Sequence, residues 1–262
     1  MTSCTVLGGS GYIGRHLVDH LRMQGHEVWA PGRGDDSVFS RDLGHVFYCV
    51  GLTGNFRERP FDTVQAHVGF LSEVLRRGQF ASLLYLSSTR VYMGAHSTHE
   101  DTALRVQPQD TSYLYNLSKL MGEALCHSCG HPQVRVARLS NVVGPGMDPR
   151  SGNLVADLVA QARAGHMVLR TAAQSAKDYV HVDDVVEWLL RIALHGRFST
   201  YNVASGLQTT HAQWLERLSA QFGASVEVLA DAPLQSFPGI EVERLATEFG
   251  AKAKPIWTPD LF

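Results

Sequence analysis

Cys4-Thr-Val-Leu7-Gly8-Gly-Ser-Gly11-Tyr12-Ile13-Gly14-Arg-His-Leu17-Val18-Asp-His-Leu21 is the stretch whose reading decides the fold. Cys4 to Leu7 is a short apolar run of the kind that forms a strand, and Leu17, Val18 and Leu21 recur at helical spacing. Three glycines at a spacing of G-x2-G-x2-G lie between them. Strand, glycine turn and helix in that order are the setting in which a glycine pattern points to dinucleotide binding. Gly8 allows the tight turn, Gly11 the close approach of a pyrophosphate, and Gly14 the packing of helix on strand, with Tyr12 and Ile13 completing the loop. The unpaired amides at the start of the helix attract phosphate charge.

Downstream, Gly25 to Ala30 reads as a second strand, and the turn at its end is where such a protein distinguishes the ribose 2′-hydroxyl of NAD from the 2′-phosphate of NADP. An acid there suits the hydroxyl. Here Pro31 occupies about that place and Arg33 follows, a slight lean towards NADP, opposed by Asp35 and Asp36. The next strand, His45 to Val50, follows too soon: a βαβ unit needs ~30 residues. One strand and its crossover helix are therefore expected to be missing after the second strand, with Asp42 and Leu43 beside the adenine pocket. Phe61 to Gly78 reads as a helix with Val64, Val68, Leu71 and Leu75 on one face.

Ser82 to Leu86 is a buried-type strand running into Ser87-Ser88-Thr89-Arg90-Val-Tyr92. Hydroxyls at the carboxyl end of a parallel strand lie where such sheets bind ligands, so Ser88 is placed to hydrogen-bond a substrate oxygen. In Tyr113-Leu-Tyr115-Asn-Leu-Ser-Lys119 a phenol and an ammonium stand four apart, one turn along a helix face. A phenol titrates near pH ~10, and a neighbouring cation is needed for it to exchange protons at neutral pH. Lys119 is placed to serve Tyr115 in that way.

The composition, 44% hydrophobic and 18% charged over 262 residues, is that of a globular chain with one large domain and a small second lobe. A net charge of -2 offers no attraction to nucleic acid, and no apolar run approaches the ~20 residues of a membrane span. With Cys4 and Cys49 in strand-like runs and no second pair to match Cys126-x2-Cys129, unpaired thiols, no metal site and a cytoplasmic setting are expected.

Taken together, Gly8-x2-Gly11-x2-Gly14, Ser87 to Tyr92, Tyr115-Asn-Leu-Ser-Lys119, Arg138-Leu-Ser-Asn141-Val-Val-Gly-Pro-Gly146, Lys177-Asp-Tyr-Val-His-Val-Asp-Asp184 and Tyr201 to Gly206 resemble, in order, the extended short-chain dehydrogenase/reductases of the nucleotide-sugar epimerase/dehydratase type. The resemblance implies that Tyr115 is the acid/base, that Lys119 holds the nicotinamide ribose and lowers the tyrosine pKa, and that Ser88 orients the substrate oxygen. Thr89, Asn141 and Lys177 would line the substrate, Lys177 standing where the family usually has arginine. His67 replaces an asparagine that the family often has. Family dehydratases carry Asp-Glu directly after the catalytic hydroxyl, where this chain has Thr89-Arg90, which disfavours elimination. The family's C-terminal arginine for the nucleotide diphosphate has no clear counterpart, Arg244 being nearby. The family also pairs its two long helices, here Phe61 to Gly78 and Tyr113 to Cys129, in a four-helix bundle between two subunits, so a homodimer is expected.

The combined expectation is a doubly wound, Rossmann-like α/β sheet lacking one strand/helix unit, with a small C-terminal cap. Residues 1–141 and about 178–206 would form the dinucleotide-binding domain, and about 142–177 with 207–262 the substrate lobe. The implied activity is an NAD(P)-dependent 4-keto reductase or 4-epimerase of a nucleotide sugar in carbohydrate biosynthesis. The alternative is a catalytically silent NAD(P)-binding sensor or scaffold.

Overall fold

The computed structural model describes residues 1–235 and 237–257. In chain order the elements are β1 (Ser3–Leu7), α1 (Tyr12–Met23), β2 (Glu27–Trp29), β3 (His45–Tyr48), α2 (Pro60–Val64), a π turn (Gln65–Gly69), α3 (Phe70–Arg77), β4 (Ser82–Ser88) and α4 (Leu114–Ser128). Then come β5 (Val134–Leu139), β6 (Asn141–Val143), α5 (Leu154–Arg163), β7 (His166–Leu169), β8 (Ala176–His181), α6 (Val182–His195), β9 (Thr200–Val203), β10 (Gln208–Thr210), α7 (His211–Phe222), β11 (Ser225–Val228) and α8 (Glu243–Phe249).

Six strands form one parallel sheet in the order β2-β1-β3-β4-β5-β9. The chain reverses direction across the sheet between β1 and β3, and the crevice outside the carboxyl ends of such a pair is where doubly wound sheets take their ligands. Residues 30–44 connect β2 to β3 with only a 3-10 turn at Asp36–Phe39, and β2 is the sheet's edge. That connection is too short for a crossover helix and another strand, which is why the sheet lacks a unit on this side.

Strand side chains alternate between two cores, as a period of two requires. Phe47 and Leu84 pack with Leu17 and Leu21 of α1 and Val185 and Leu189 of α6. Val46, Tyr48 and Tyr85 face the other way, onto Leu71 and Val74 of α3 and Cys126 of α4. The inward stripe of the helix after β3 is Thr63-His67-Leu71-Val74, all buried, and not the expected Val64-Val68-Leu71-Leu75; Val64 is exposed. Hydrophobic periodicity missed the stripe because its first two members are polar.

The smaller lobe holds a three-stranded sheet, β10-β8-β6, and a two-stranded one, β11-β7. Its core gathers Leu158 and Val159 of α5, Tyr179 of β8 and Trp214 and Leu218 of α7. α8 packs away from this lobe: Leu245 joins the main core beside Tyr201 and Val203. The expected lobe extends to residue 262, of which 258–262 lie outside the described residues. Among the described residues no helix is long and apolar enough to cross a membrane.

Candidate active site

β4 ends at Ser88, whose hydroxyl caps the 3-10 turn Thr89–Tyr92 by accepting the Arg90 amide at 3.2 Å. α4 passes alongside and turns both Tyr115 and Lys119 inward, where they are 6% and 4% exposed. Ser88 neighbours Tyr115 closely enough to pull its pKa down. The Lys119 ammonium donates to the Leu86 carbonyl at 2.8 Å and stands 5.9 Å from the Tyr115 ring centroid. Burial raises the Tyr115 pKa, while the Ser88 hydroxyl and the Arg90 charge pull it down. Arg90 is thus one cation acting on the phenol, while the Lys119 ammonium donates to β4. Burial lowers Lys119 to about 7 against the opposing pull of Glu123 and Cys49, so its protonation is poised near neutrality.

His67 stands behind this pair. Its ring meets Tyr115 edge-on at 5.3 Å, its Nε2 lies 3.3 Å from the Leu52 amide, and its Nδ1 lies 2.8 Å from Ser118 Oγ. A backbone N–H can only donate, so Nε2 accepts and Nδ1 carries the proton towards Ser118. Ser118 in turn donates to the Tyr115 carbonyl at 2.9 Å. Burial, and then Lys119, push His67 down to about 2, which keeps the imidazole neutral. It therefore ties the loop after β3 to the first turn of α4.

The glycine turn lies at the β1/β3 crevice. Gly8 has φ of 84°, and a Cβ there would stand 2.9 Å from the Cys49 backbone; a Cβ at Gly14 would collide with the Gly8 carbonyl oxygen. The Gly11 amide closes the turn onto Gly8 O at 3.0 Å. Ile13 packs against the main core, and the buried Tyr12 hydroxyl has no hydrogen-bond partner among the described residues. This cradle fits a dinucleotide: a crevice at the switch point, a bare backbone turn and a lysine next to the phenol. Arg33 is exposed in the connection between β2 and β3. Asp35 is committed to its own turn, accepting from Ser37 N at 3.0 Å and Ser37 Oγ at 2.6 Å. Asp42 is exposed and accepts from Gly44 N at 2.9 Å, whereas the Leu43 side chain is buried in the core.

A pocket of about 480 Å³ opens beside β6 and β8, with Asn141, Arg150, Asn153, Lys177, Tyr179 and His211 among its walls. Asn141 is oriented by donating to Asp178 O at 2.9 Å. Lys177 lies 5.0 Å from the Phe237 ring centroid, and burial lowers its pKa, assisted by Arg90. His211 holds Thr171 Oγ1 at 2.7 Å through Nδ1, and burial, then Lys177, lower it to about 4. Its Nε2 and the Tyr179 hydroxyl are buried with no hydrogen-bond partner among the described residues. Thr89 is half-buried at the head of its turn. Arg244 is elsewhere: it pairs with Asp101 at 2.7 Å and Glu100 at 3.7 Å and donates to Thr200 O, so it is not the missing diphosphate arginine. Sequence reasoning passed over Arg150, Asn153 and His211. Asn153 caps α5 and His211 opens α7, roles that any capping or surface residue fills.

Behind β4 lies a second polar cluster. Arg138 is bound to Glu123 through Nη2 at 2.7 Å and Nε at 3.1 Å, and its Nη1 donates to Tyr92 OH at 2.8 Å and Glu100 O at 3.1 Å. Ser87 Oγ donates to Glu123 at 2.5 Å, and Tyr92 OH donates to Asn202 Oδ1 at 2.8 Å. Glu123 raises the Arg138 pKa against the cost of burial.

Comparison with known proteins gives the same frame. The chain is 25% identical over 86% of its length and 83% of the other protein's to dTDP-4-dehydro-6-deoxy-D-allose reductase of Streptomyces bikiniensis. It is 23% identical to UDP-glucuronic acid decarboxylase 1 of Xenopus tropicalis, over 92% of this chain and 66% of that one. The solved structure of RMD from Pseudomonas aeruginosa, complexed with NADPH, matches with a TM-score of 0.80 at 26% identity, covering 97% of this chain and 94% of that one. Residues 4–204 match the model of the NAD dependent epimerase/dehydratase family, a span that holds the glycine turn, Ser88, Tyr115, Lys119 and Lys177, and the chain belongs to that family.

Proposed function

We propose that the protein moves a hydride at a hydroxyl or keto carbon of a nucleotide-activated sugar, as a ketoreductase or an epimerase, with Tyr115 as the proton-transfer group. The observation that carries this reading is the burial of Tyr115 and Lys119 together beside Ser88 at the carboxyl end of β4, with the Lys119 amine 5.9 Å from the Tyr115 ring centroid and Ser88 pulling the phenol's pKa down. When bound, the nicotinamide supplies hydride acceptance and return. The chain supplies the rest. Ser88 orients the reacting oxygen, and Tyr115 takes or gives its proton. Lys119 meets the ribose, while Gly8, Gly11, Tyr12, Ile13 and Gly14 hold the pyrophosphate. Asn141 and Lys177 face the substrate diphosphate, Lys177 as a point charge rather than a bidentate fork. Thr89 and Arg90 offer no carboxylate for removing water, which sets dehydration aside.

The preference for NADP rests on Arg33, exposed after β2, and on Asp35 being occupied by Ser37. Pairing of two copies through α2 and α4 is supported by exposed Phe61 (87%), Val64 (41%) and Met121 (54%).

Incubating the purified protein with NAD(P)H and a panel of UDP- and dTDP-sugars, and identifying the products by NMR, tests the proposal. Net consumption of reduced cofactor identifies a reductase. Interconversion of sugars with cofactor retained identifies an epimerase, and the absence of any turnover across the panel overturns both.

A further inference from the structure

Two arginines converge on one aromatic ring at the catalytic end of the site. Phe56 is 5% exposed, and its ring lies 5.5 Å from that of Tyr115. The Arg57 guanidinium carbon is 4.5 Å from the Phe56 centroid and that of Arg90 is 5.8 Å away. Arg90 is held in place: Nε donates to Asn116 Oδ1 at 3.1 Å, Nη2 to Ser112 O at 3.4 Å, and Asn116 Nδ2 returns a bond to Arg90 O at 3.0 Å. Its Nη1 has no hydrogen-bond acceptor among the described residues. Neither arginine forms an ion pair among the described residues, and the one acid acting on both, Asp110, is exposed and capping its own turn through Ser112. Burial, and then the charge of Arg57, depress the Arg90 pKa. Two guanidinium groups beside one ring repel each other, and among the described residues the acid that offsets this is the exposed Asp110, which forms no ion pair with either.

Arg90 acts by charge on Lys177, yet its guanidinium is directed to the Phe56 side. The pocket walls that suit a diphosphate, Asn141, Arg150 and Lys177, belong to the lobe side, whereas Arg57 and Arg90 stand at Phe56 and Tyr115, where the sugar ring reacts. We infer that the substrate carries a second anion on the sugar itself, a carboxylate, received by Arg90 and Arg57: the substrate class is a nucleoside-diphosphate sugar acid. This rests on the proposed placement of the reacting sugar at Tyr115. A planar carboxylate offers two acceptor oxygens, one for the free Nη1 of Arg90 and one for the fork of Arg57. The same charge pair then excludes nothing by shape; it selects by charge.

Calorimetric titration with UDP, UDP-glucose and UDP-glucuronate, repeated with the dTDP forms, tests this in wild type, Arg90→Lys and the Arg57→Gln/Arg90→Gln double variant. The sugar acid is expected to bind wild type at least about tenfold more tightly than the neutral sugar. In the double variant the ratio should fall to near unity while affinity for the bare nucleoside diphosphate is unchanged, and Arg90→Lys should keep part of it. Equal affinities in wild type, or a preference that survives the double substitution, would overturn the inference while leaving the nucleotide-sugar reading intact. Loss of bare UDP binding in the double variant would reassign the arginines to the diphosphate and also overturn it. Failure of every nucleotide to bind wild type would overturn the nucleotide-sugar reading and this one with it.

Discussion

Two cationic clusters flank the carboxyl end of β4, and they differ in what answers them. On one side Arg138 is enclosed by Glu123, Tyr92 and the Glu100 carbonyl, with Ser87 and Asn202 completing the contacts. On the other, Arg90 and Lys177 sense each other's charge with no ion pair among the described residues, and His211 Nε2 and Tyr179 OH stay unpaired beside them. Burying a charge without a partner is costly. A cluster that is fully paired therefore belongs to the fold, and one left open belongs to a ligand.

The sharpest way to break that contrast is on activity. Tyr115→Phe deletes the transferable proton and leaves the glycine turn untouched, so turnover should fall by ~10²- to 10⁴-fold while cofactor affinity, read by fluorescence titration, stays near wild type. An unchanged rate would remove Tyr115 from the chemistry.

Stability separates the two clusters next. Glu123→Ala strands Arg138 in the interior, at a cost of about 3–5 kcal/mol in urea unfolding. Arg90→Gln removes a charge that has no ion pair and gives up the Asn116 hydrogen bond, so it should cost only about 1–3 kcal/mol, less than Glu123→Ala. Equal losses in both variants would erase the distinction.

Two smaller effects test the cofactor side. If Arg33 meets the 2′-phosphate, its replacement by alanine should reduce the NADP advantage by about 1.5–3 kcal/mol, or roughly ten- to a hundredfold in affinity. Tighter binding of NAD than NADP in wild type would end that idea. Lys119 is lowered from 10.5 to about 7 in the folded protein. Between those values the unfolded chain holds a proton that folded Lys119 lacks, so its contribution to stability rises with pH through that window. The stability difference between wild type and Lys119→Met should move in favour of wild type by about 1–2 kcal/mol from pH 7 to 8.5. A pH-independent difference would mean that Lys119 keeps an ordinary pKa.

Much of the sheet was readable because its signals are local. The glycine turn between an apolar run and a helical stripe, and a connection too short for a crossover, are both written in neighbouring residues. The pocket was not readable in that way. Arg150, Asn153 and His211 come from separate loops and helix starts, and only the tertiary fold brings them to Lys177. His67 and Thr63 broke the apolar stripe that periodicity looks for, because His67 faces Tyr115 and Ser118 and the Thr63 hydroxyl bonds back to Arg59 O. Arg90 was visible as a departure from the family's acidic pair, but its position against Phe56 and Tyr115 depends on the turn after β4 and on the Asn116 clamp.

Rapid mixing of the wild-type protein and NAD(P) with the nucleotide-sugar panel, followed by nicotinamide absorbance in single turnovers, tests the central claim most directly. The account predicts an absorbance change with at least one nucleotide sugar in wild type, transient for an epimerase and lasting for a reductase, and none in Tyr115→Phe. Nucleotide sugars that bind wild type without any change in the nicotinamide would contradict it.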